Sequence, residues 1–232
     1  MLDSLLARAR NRDHAFTVYR GEESTGVESL FAAHGVEYEV RTLPPAGPDP
    51  FVLIETDGEF AGVIGAAELD GLFDPPVVVP GNREEVSPGY RAIFELFDDT
   101  LFTSMQRRAL LAVSREIEDR AYRVGSGTLR ASFQRFSAFR PQVDAYRHLA
   151  ADTDLSVHVY GADDWDPPTI PGVTYHVIGA DDFDRFWVLG FDGGETGQAC
   201  GLVAKEESDE YTGFWTDDAV VVEEILAAVA AA

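Results

Sequence analysis

The stretch RRALLAVSREIEDRAYRVGSGTLRASFQRFSAFRPQVDAYR, residues 107–147, contains the patterns that decide the fold. Apolar residues recur there every three or four positions, which predicts an amphipathic helix over residues 104–123. The predicted core-facing stripe consists of Met105, Ala109, Ala112, Val113, Ile117 and Ala121. Glycines at 125 and 127 predict the end of this helix. Alternation then predicts a strand over 128–136, with Leu129, Ala131 and Phe133 on one face and Arg130, Ser132 and Gln134 on the other.

The same stretch has a charge opposite to that of the rest of the chain. It contains nine of the 18 basic residues, all arginines, and only four of the 41 acidic ones, in a protein of net charge −23. Lys205 is the one lysine. An acidic, lysine-poor surface is typical of proteins that stay hydrated in concentrated salt, which predicts a halophilic protein. The overall charge argues against a role centred on nucleic acid, because phosphate neutralisation needs a basic face.

Composition predicts a globular protein of the cytoplasm. The 232 residues are 45% hydrophobic, enough for one or two domains. The longest apolar run, residues 225–232, is too short to span a membrane, and residues 1–15 do not form a signal peptide. Cys200 is the single cysteine, so an internal disulfide is excluded and a reducing compartment is expected.

Periodicity predicts an N-terminal part with both helices and strands. The expected hairpin covers residues 51–64 and turns at Asp57-Gly58, a dipeptide that suits a tight turn. In residues 36–43, Val36, Tyr38 and Val40 are expected to point inward. The other predicted elements are helices at 2–10, 27–34 and 66–73 and a strand at 15–19.

The C-terminal part is predicted to add strands and two helices. A helix beginning at Pro88 precedes the stretch quoted above, and Thr103 or Ser104 is the expected N-cap of the main helix. A helix at 140–151 follows. Thr216 or Asp217 is the expected N-cap of the last helix, 220–229. The predicted strands are 155–160, 174–178, 186–191, 199–204 and an edge strand at 210–215.

These patterns predict an α+β fold with a boundary near residue 85. Residues 1–85 would form a smaller α+β part, and residues 86–232 a small mixed or antiparallel sheet flanked by helices. Residues 50–69 and 185–206 each show a strand, an acid-Gly turn and a second strand, and AFTVYRGEE at 15–23 is similar to SVHVYGADD at 156–164. A duplicated unit is therefore one interpretation, and convergence of short hairpins is the other.

Three segments carry a resemblance to a known family. They are LFDDTLFTSMQRRALLAVSREIEDRAYRVGSGTLRASFQRFSAF at 96–139, FWVLGFDG at 186–193 and GFWTDDAVVVEEIL at 213–226. Over roughly residues 90–226 the chain resembles the DICT family, in a haloarchaeal type of sequence. The resemblance implies an α+β sensory domain of the kind found beside diguanylate cyclases and two-component kinases. It implies no catalytic residue, and the output partner, two-component or transcriptional, would be a separate chain.

The arginines suggest an anion site. Arg130 and Gln134 are expected on one strand face, with Arg120 and Arg123 in the helical turn just before it, and guanidinium groups bind carboxylate and phosphate well. The alternative is that these arginines pair with nearby acids, for example Arg115 with Asp119 and Glu116 with Arg120 at i,i+4 spacing.

Aromatic residues suggest a second kind of ligand. Phe133, Phe136, Trp187 and Trp215 could enclose a planar molecule, although core packing is the commoner reason for such a cluster.

Metal and nucleophile sites are not predicted. His158 and His176 lie in neighbouring predicted strands, but together with Cys200 they lack the spacing of a zinc site, and a sheet histidine is the simpler interpretation. Cys200 has no local group that would lower its pKa. Acid doublets such as Asp163-Asp164 and Asp217-Asp218 are expected in a chain with so many acids.

Taken together, the sequence predicts a non-catalytic sensory protein. It would bind a small anionic or planar ligand, or the acidic segment of a partner, and relay the event to an output protein. No cofactor is identified, and a homodimer is compatible with the sequence. The alternatives are an enzyme with an acidic, metal-dependent site and a nucleic-acid-associated subunit that exposes its arginines.

Overall fold

The computed structural model describes residues 1–9, 14–33, 35–69, 97–98, 100–179, 183–208 and 210–232. Two mixed β-sheets flanked by helices form the fold. The predicted α+β class is therefore confirmed.

The smaller sheet belongs to the N-terminal part. Its order is β2-β1-β3-β4, in which β1 is parallel to β2 and antiparallel to β3. The elements are α1 (Leu2–Ala9), β1 (His14–Arg20), α2 (Gly26–Ala33), β2 (Tyr38–Thr42), β3 (Phe51–Thr56), β4 (Glu59–Gly65) and α3 (Ala66–Leu69).

The larger sheet has seven strands in the order β5-β11-β10-β9-β6-β7-β8. Strands β6, β7 and β8 are mutually parallel, and β9, β10, β11 and β5 continue the sheet in antiparallel pairs. Its strands are β5 (Phe102–Met105), β6 (Ser126–Arg135), β7 (Asp154–Ala162), β8 (Val173–Val177), β9 (Phe186–Phe191), β10 (Cys200–Glu207) and β11 (Glu210–Thr216). Its helices are α4 (Arg107–Val124), α5 (Phe136–Phe139), α6 (Val143–Asp152) and α7 (Ala219–Ala230), with 3-10 turns at Arg140–Gln142 and Gly194–Thr196.

The larger sheet separates two hydrophobic cores. On one face, Ile117 and Ala121 of α4 pack with Leu129 and Ala131 of β6, in a cluster that also contains the inner face of the smaller sheet. On the opposite face, α1 and α7 pack on residues such as Val188 and Val203. Side chains on β6 that point away from α4 are therefore isolated from that helix by the sheet itself.

A row of aromatic rings joins the two sheets. Phe16 of β1 stacks on Phe97 at 5.2 Å between ring centroids, Phe97 contacts Phe102 at 5.6 Å, and Phe102 stacks on Trp215 at 4.9 Å. Because all four rings are buried, they are part of the larger core.

Several local predictions are confirmed. Asp57 and Gly58 both have positive φ, 54° and 79°, as a tight hairpin turn requires. Gly125 ends α4 in the left-handed region, and its N–H donates to the carbonyl of Ala121. Alternation predicts the buried face of β6 correctly, with Leu129, Ala131 and Phe133 in the core beside α4, but the register shifts after Ser132 and Gln134 leaves the regular strand with a φ of +60°.

Other boundaries differ from the prediction. Thr103 and Ser104 belong to strand β5, and Gln106 precedes α4 without a side-chain cap. Because β5 pairs with β11, the predicted edge strand lies inside the sheet.

Two further local predictions are wrong. The helix expected at 140–151 begins only at Val143, as α6, because residues Arg140–Gln142 form a 3-10 turn. The N-cap of α7 is Asp218, whose Oδ1 accepts from the N–H groups of Val220 and Val221, and not Thr216 or Asp217.

The predicted inward face of β2 is only partly buried. Val36 is buried and Tyr38 half-buried, but Val40 is 43% exposed. The strand lies at the edge of its sheet, so its end extends beyond the core. The helix predicted to begin at Pro88 lies outside the described residues.

The strand order of the smaller sheet recurs in the larger one. Strands β2-β1-β3-β4 correspond in order and direction to β7-β6-β9-β10. The similarity between residues 50–69 and 185–206 follows this correspondence, because these segments contain β3-β4 and β9-β10. The similarity between residues 15–23 and 156–164 does not follow it, because it would match β1 with β7 rather than with β6. Duplication stays a prediction, as does the domain boundary near residue 85, which lies outside the described residues.

In the described part of the chain, no helix has the length and apolar character needed to span a membrane.

Candidate functional site

Strands β6, β7 and β8 present polar residues on the face opposite α4. In the β6–β7 register Thr128 pairs with Ser156, Arg130 with His158 and Ser132 with Tyr160. In the β7–β8 register His158 pairs with Thr174 and Tyr160 with His176. Because paired residues in a sheet point to the same side, these side chains share one surface. We call Arg130, His158, Tyr160 and His176 the His–Arg face.

Direct contacts connect the members of the His–Arg face. Arg130 donates from one terminal nitrogen to the hydroxyl of Tyr160. The ring of His176 stacks on Tyr160 at 4.5 Å between centroids. Nδ1 of His158 is 2.9 Å from Nε2 of His176, and Nε2 of His158 is 3.0 Å from Oγ of Ser156. The four side chains form one connected polar network.

Arg130 has no carboxylate partner among the described residues. Its single hydrogen bond to a side chain goes to the neutral hydroxyl of Tyr160, which leaves its Nε and second terminal nitrogen as unused donors. The residue is half-buried. Partly buried charges in proteins are normally paired. In a molecule of net charge −23, Arg130 is thus a half-buried arginine for which the described residues provide no carboxylate counter-ion.

The two histidines respond to this positive charge. Burial and the charge of Arg130 lower the pKa of His158 below its ordinary value, and the neighbouring His176 adds to the effect. Burial and Arg130 lower the pKa of His176 in the same way. Both rings are therefore neutral near pH 7, and they act there as hydrogen-bonding groups.

Among the described residues, the neighbouring elements bring few acidic side chains to the His–Arg face. Gly190 of β9 is the partner of Arg130, and Leu226 of α7 lies 3.0 Å from the position that a Cβ at residue 190 would occupy. Of the two α7 carboxylates, Glu223 is exposed and Glu224 pairs with Arg8. Asp154, at the start of β7, is exposed and lies two positions before Ser156.

Arg120 and Arg123, predicted to share a site with Arg130, lie on the other side of the sheet. Arg120 donates to Oδ1 of Asp217 at 2.8 Å, and Arg123 pairs with Asp119 and Glu116. The structure thus divides the predicted arginine site into a carboxylate-paired group on α4 and Arg130, which has no carboxylate partner in the part of the chain that the structure describes.

The arginines of the main helix have partners beyond the predicted i,i+4 pairs. Arg115 pairs with Glu118 and also donates to Gln142. Arg120 is bound to Asp217 outside the helix, and the charge of Glu116 also acts on it. Since these arginines are largely buried against carboxylates, they do not form the exposed basic stripe that a nucleic-acid-associated subunit would need.

Gln134 and Phe136 are also separate from Arg130. Gln134, whose φ is +60°, donates from Nε2 to Glu206 at 3.1 Å. Phe136 is buried against Tyr175 and next to Gly161.

The other predicted aromatic residues are core residues. Phe133 and Trp187 contact each other at 6.5 Å, and Trp187 Nε1 donates to Ser114 Oγ at 3.0 Å. Two hollows adjoin this pair, and the larger has a cavity volume of only about 10 Å³. Both are smaller than the roughly 300–1,000 Å³ of typical ligand pockets. Trp215 lies elsewhere, against Phe102.

The remaining candidates form no reactive site in the part of the chain that the structure covers. Burial raises the pKa of the Cys200 thiol to about 12, which makes it a poor nucleophile. No three His, Cys, Asp or Glu side chains among the described residues are arranged to hold a metal ion.

Sequence reasoning left Tyr160 out of the site and assigned His158 and His176 a structural role. One signal was present: polar residues alternate in SVHVY at 156–160 and in TYH at 174–176. The register that brings these polar positions beside Arg130 has no local signature in the sequence.

The structure is thus an α+β fold with a connected polar network on one face of its larger sheet. Residues 95–207 match the model of the DICT family, described as a sensory domain in diguanylate cyclases and two-component systems. The resemblance predicted from the sequence is confirmed for this segment, which contains the whole His–Arg face. The match supports a sensory role.

The other comparisons add no functional information. Comparison with curated proteins found no match. Among solved structures, polyphosphate kinase from Porphyromonas gingivalis is similar at 11% identity and a TM-score of 0.36, over 99% of this chain and 47% of that chain. The chain thus spans about half the length of that enzyme, and a likeness this weak supports no conclusion.

Proposed function

We propose that the protein is a cytoplasmic sensory module that binds a small anion at the His–Arg face and relays the event to a separate output protein. The observation that carries this proposal is the absence, within the described residues, of any carboxylate paired with the half-buried Arg130. A ligand oxyanion would supply the missing counter-charge and use the free guanidinium donors.

The polar neighbours of Arg130 favour a small anion over a planar molecule. Oxyanions are bound by several convergent donors, and the exposed hydroxyls of Ser156 and Thr174 lie in the same rows as His158. The hollows beside Trp187 and Phe133 are small and lie on the other side of the sheet. An acidic segment of a partner protein would use the same guanidinium and is a further outcome of the test below.

The relay would use the helix next to the site. Leu226 of α7 contacts β9 at Gly190, directly beside Arg130, and α7 is bound to α1 through the Arg8–Glu224 pair. A ligand that binds two arrangements of these elements with different affinity would shift the equilibrium between them.

The test is titration of the full chain with inorganic sulfate and phosphate at constant ionic strength, followed by calorimetry or NMR. Saturable binding is expected. Arg130→Gln removes a charged hydrogen bond and should weaken binding by about tenfold or more. Arg41→Gln, at an exposed arginine on β2, removes the same charge far from the site and should leave binding unchanged.

Binding that is equally strong in Arg130→Gln, or no saturable binding of either anion, would remove the His–Arg face as the receptor site. Selective binding of an acidic peptide with no response to either inorganic anion would instead identify a protein partner. Far-ultraviolet circular dichroism of each variant establishes that it is folded.

A further inference from the structure

The contact between His158 and His176 limits the number of protons that the pair can hold. Nδ1 of His158 and Nε2 of His176 are 2.9 Å apart, and a hydrogen bond of that length holds one proton between the two nitrogens. A second proton there would place two N–H groups head to head. The neutral pair therefore carries two protons, the singly charged pair three, and a fourth is excluded while the contact persists.

An added proton changes what the pair offers to a ligand. Nε2 of His158 faces Ser156 Oγ, and Nδ1 of His176 has no hydrogen-bond partner among the described residues. In the neutral pair only one of these outer nitrogens carries a proton, so His176 Nδ1 is a donor in one tautomer and an acceptor in the other. In the singly charged pair both outer nitrogens carry protons, and His176 Nδ1 is always a donor.

We propose that the His–Arg face selects dianionic, phosphate-type oxyanions and takes up a single proton on the His158–His176 pair when it binds one. This inference rests on the proposed function, because it concerns the ligand class and regulation of the same site. Arg130 and the singly protonated pair together carry two positive charges, which match a dianion. A monoanion is already balanced by Arg130 alone and requires no proton.

The groups around the pair determine when this proton is taken up. From β6 the pair faces Arg130, and from its own strand Tyr160. Val188 and Gly190 of β9 do not titrate, and the nearest α7 carboxylates are the exposed Glu223 and the Arg8-bound Glu224. Burial and Arg130 lower the pKa of both histidines, so the pair by itself is neutral near pH 7. A bound dianion offsets the charge of Arg130 and favours protonation.

The experiment is calorimetric titration of the full chain with sulfate, which remains a dianion, between about pH 5.5 and 7.5. Repeating it in two buffers of different ionisation enthalpy gives the number of protons taken up per sulfate. We expect an uptake approaching one proton, and an affinity that rises by up to about tenfold for each pH unit of acidification. Nitrate, a monoanion, should bind more weakly and without proton uptake.

Matched histidine variants identify the residues that take up the proton. The double variant His158→Asn, His176→Gln should abolish proton uptake and the pH dependence. His148→Gln alters an exposed histidine on α6, next to Asp152, and should preserve both. Any of three results would overturn this inference and leave the proposed function standing. They are Arg130-dependent binding without proton uptake, equal affinity for nitrate and sulfate, and proton uptake that persists in the double variant. Loss of all Arg130-dependent anion binding would overturn the proposed function itself.

Discussion

The arginines on the two sides of the larger sheet have different kinds of partner. On α4, Arg115, Arg120 and Arg123 each bind a carboxylate, and the acids Glu116, Glu118 and Asp119 are buried with them. On the opposite face, Arg130 binds a tyrosine hydroxyl and faces two neutral histidines. The difference separates arginines that pair with carboxylates inside the fold from the one that we propose as the ligand-binding arginine.

The largest expected effect is on the paired side. Arg120→Gln would leave Asp217 without its partner next to a largely buried helix face, and removal of one member of such a pair should lower the free energy of unfolding by about 3 kcal/mol. This value is at the low end for buried pairs because Asp217 is 31% exposed. Urea unfolding measures it. An effect as small as that of Arg41→Gln would show that Arg120 is not structural.

Arg130→Gln should have a much smaller effect on stability. The variant loses the hydrogen bond to Tyr160 but also removes a half-buried charge that lacks a counter-ion, so the free energy of unfolding should change by less than about 1 kcal/mol. The same urea series measures this change beside Arg120→Gln. A loss as large as that of Arg120→Gln would place both arginines in the same structural class and contradict the comparison.

The pKa values of the histidines give a sharper test of the same contrast. Removing the charge of Arg130 should raise the pKa of His158 and of His176, whereas Arg123→Gln, on the far side of the sheet, should leave both unchanged. Proton NMR titration of the ring resonances measures these shifts.

The sign of the effect on stability follows from linkage. Because the folded state depresses the pKa of both histidines below the ordinary 6.5, the unfolded chain binds more protons. The stability contribution is complete above pH 6.5 and is lost as the pH falls through the folded-state values. Arg130→Gln should reduce this loss of stability at acidic pH. A histidine titration in the variant that is identical to that of the wild type would show that Arg130 does not act on the pair.

The smallest effect is expected at Arg147, an exposed arginine of α6 that pairs with Asp144. Exposed pairs contribute little, so Arg147→Gln should change the free energy of unfolding by no more than about 0.5 kcal/mol. Thermal unfolding in low and high salt is the measurement. A larger effect would mean that exposure alone does not distinguish the arginine groups.

Local chemistry made part of this structure predictable. The Asp57-Gly58 turn, the end of α4 at Gly125 and the two faces of β6 each depend on a few adjacent residues. Strand β5 was missed because its four residues are too few to show alternation and directly precede a helical pattern.

The candidate site was predictable only in part. The choice of Arg130 came from its strand face, but its grouping with Arg120 and Arg123 assumed that nearness in sequence means a shared surface. Gly125 turns the chain so that the strand runs beneath the helix, and the Arg130 side chain then projects from the side that the helix does not touch. His158 and His176 reach Arg130 through parallel pairing across two connections, which no short pattern reveals.

Gly190 allows the last helix to lie close to β9 beside Arg130. With only a hydrogen at this position, Leu226 of that helix comes within 3.0 Å of the place a Cβ would occupy. The last helix in turn shares a buried core with the first helix, so both lie on the side of the sheet from which Arg130 projects. Gly190→Ala would place a methyl group in this contact. The resulting strain at β9 would act on the first and last helices of the chain, although neither helix directly precedes or follows that strand.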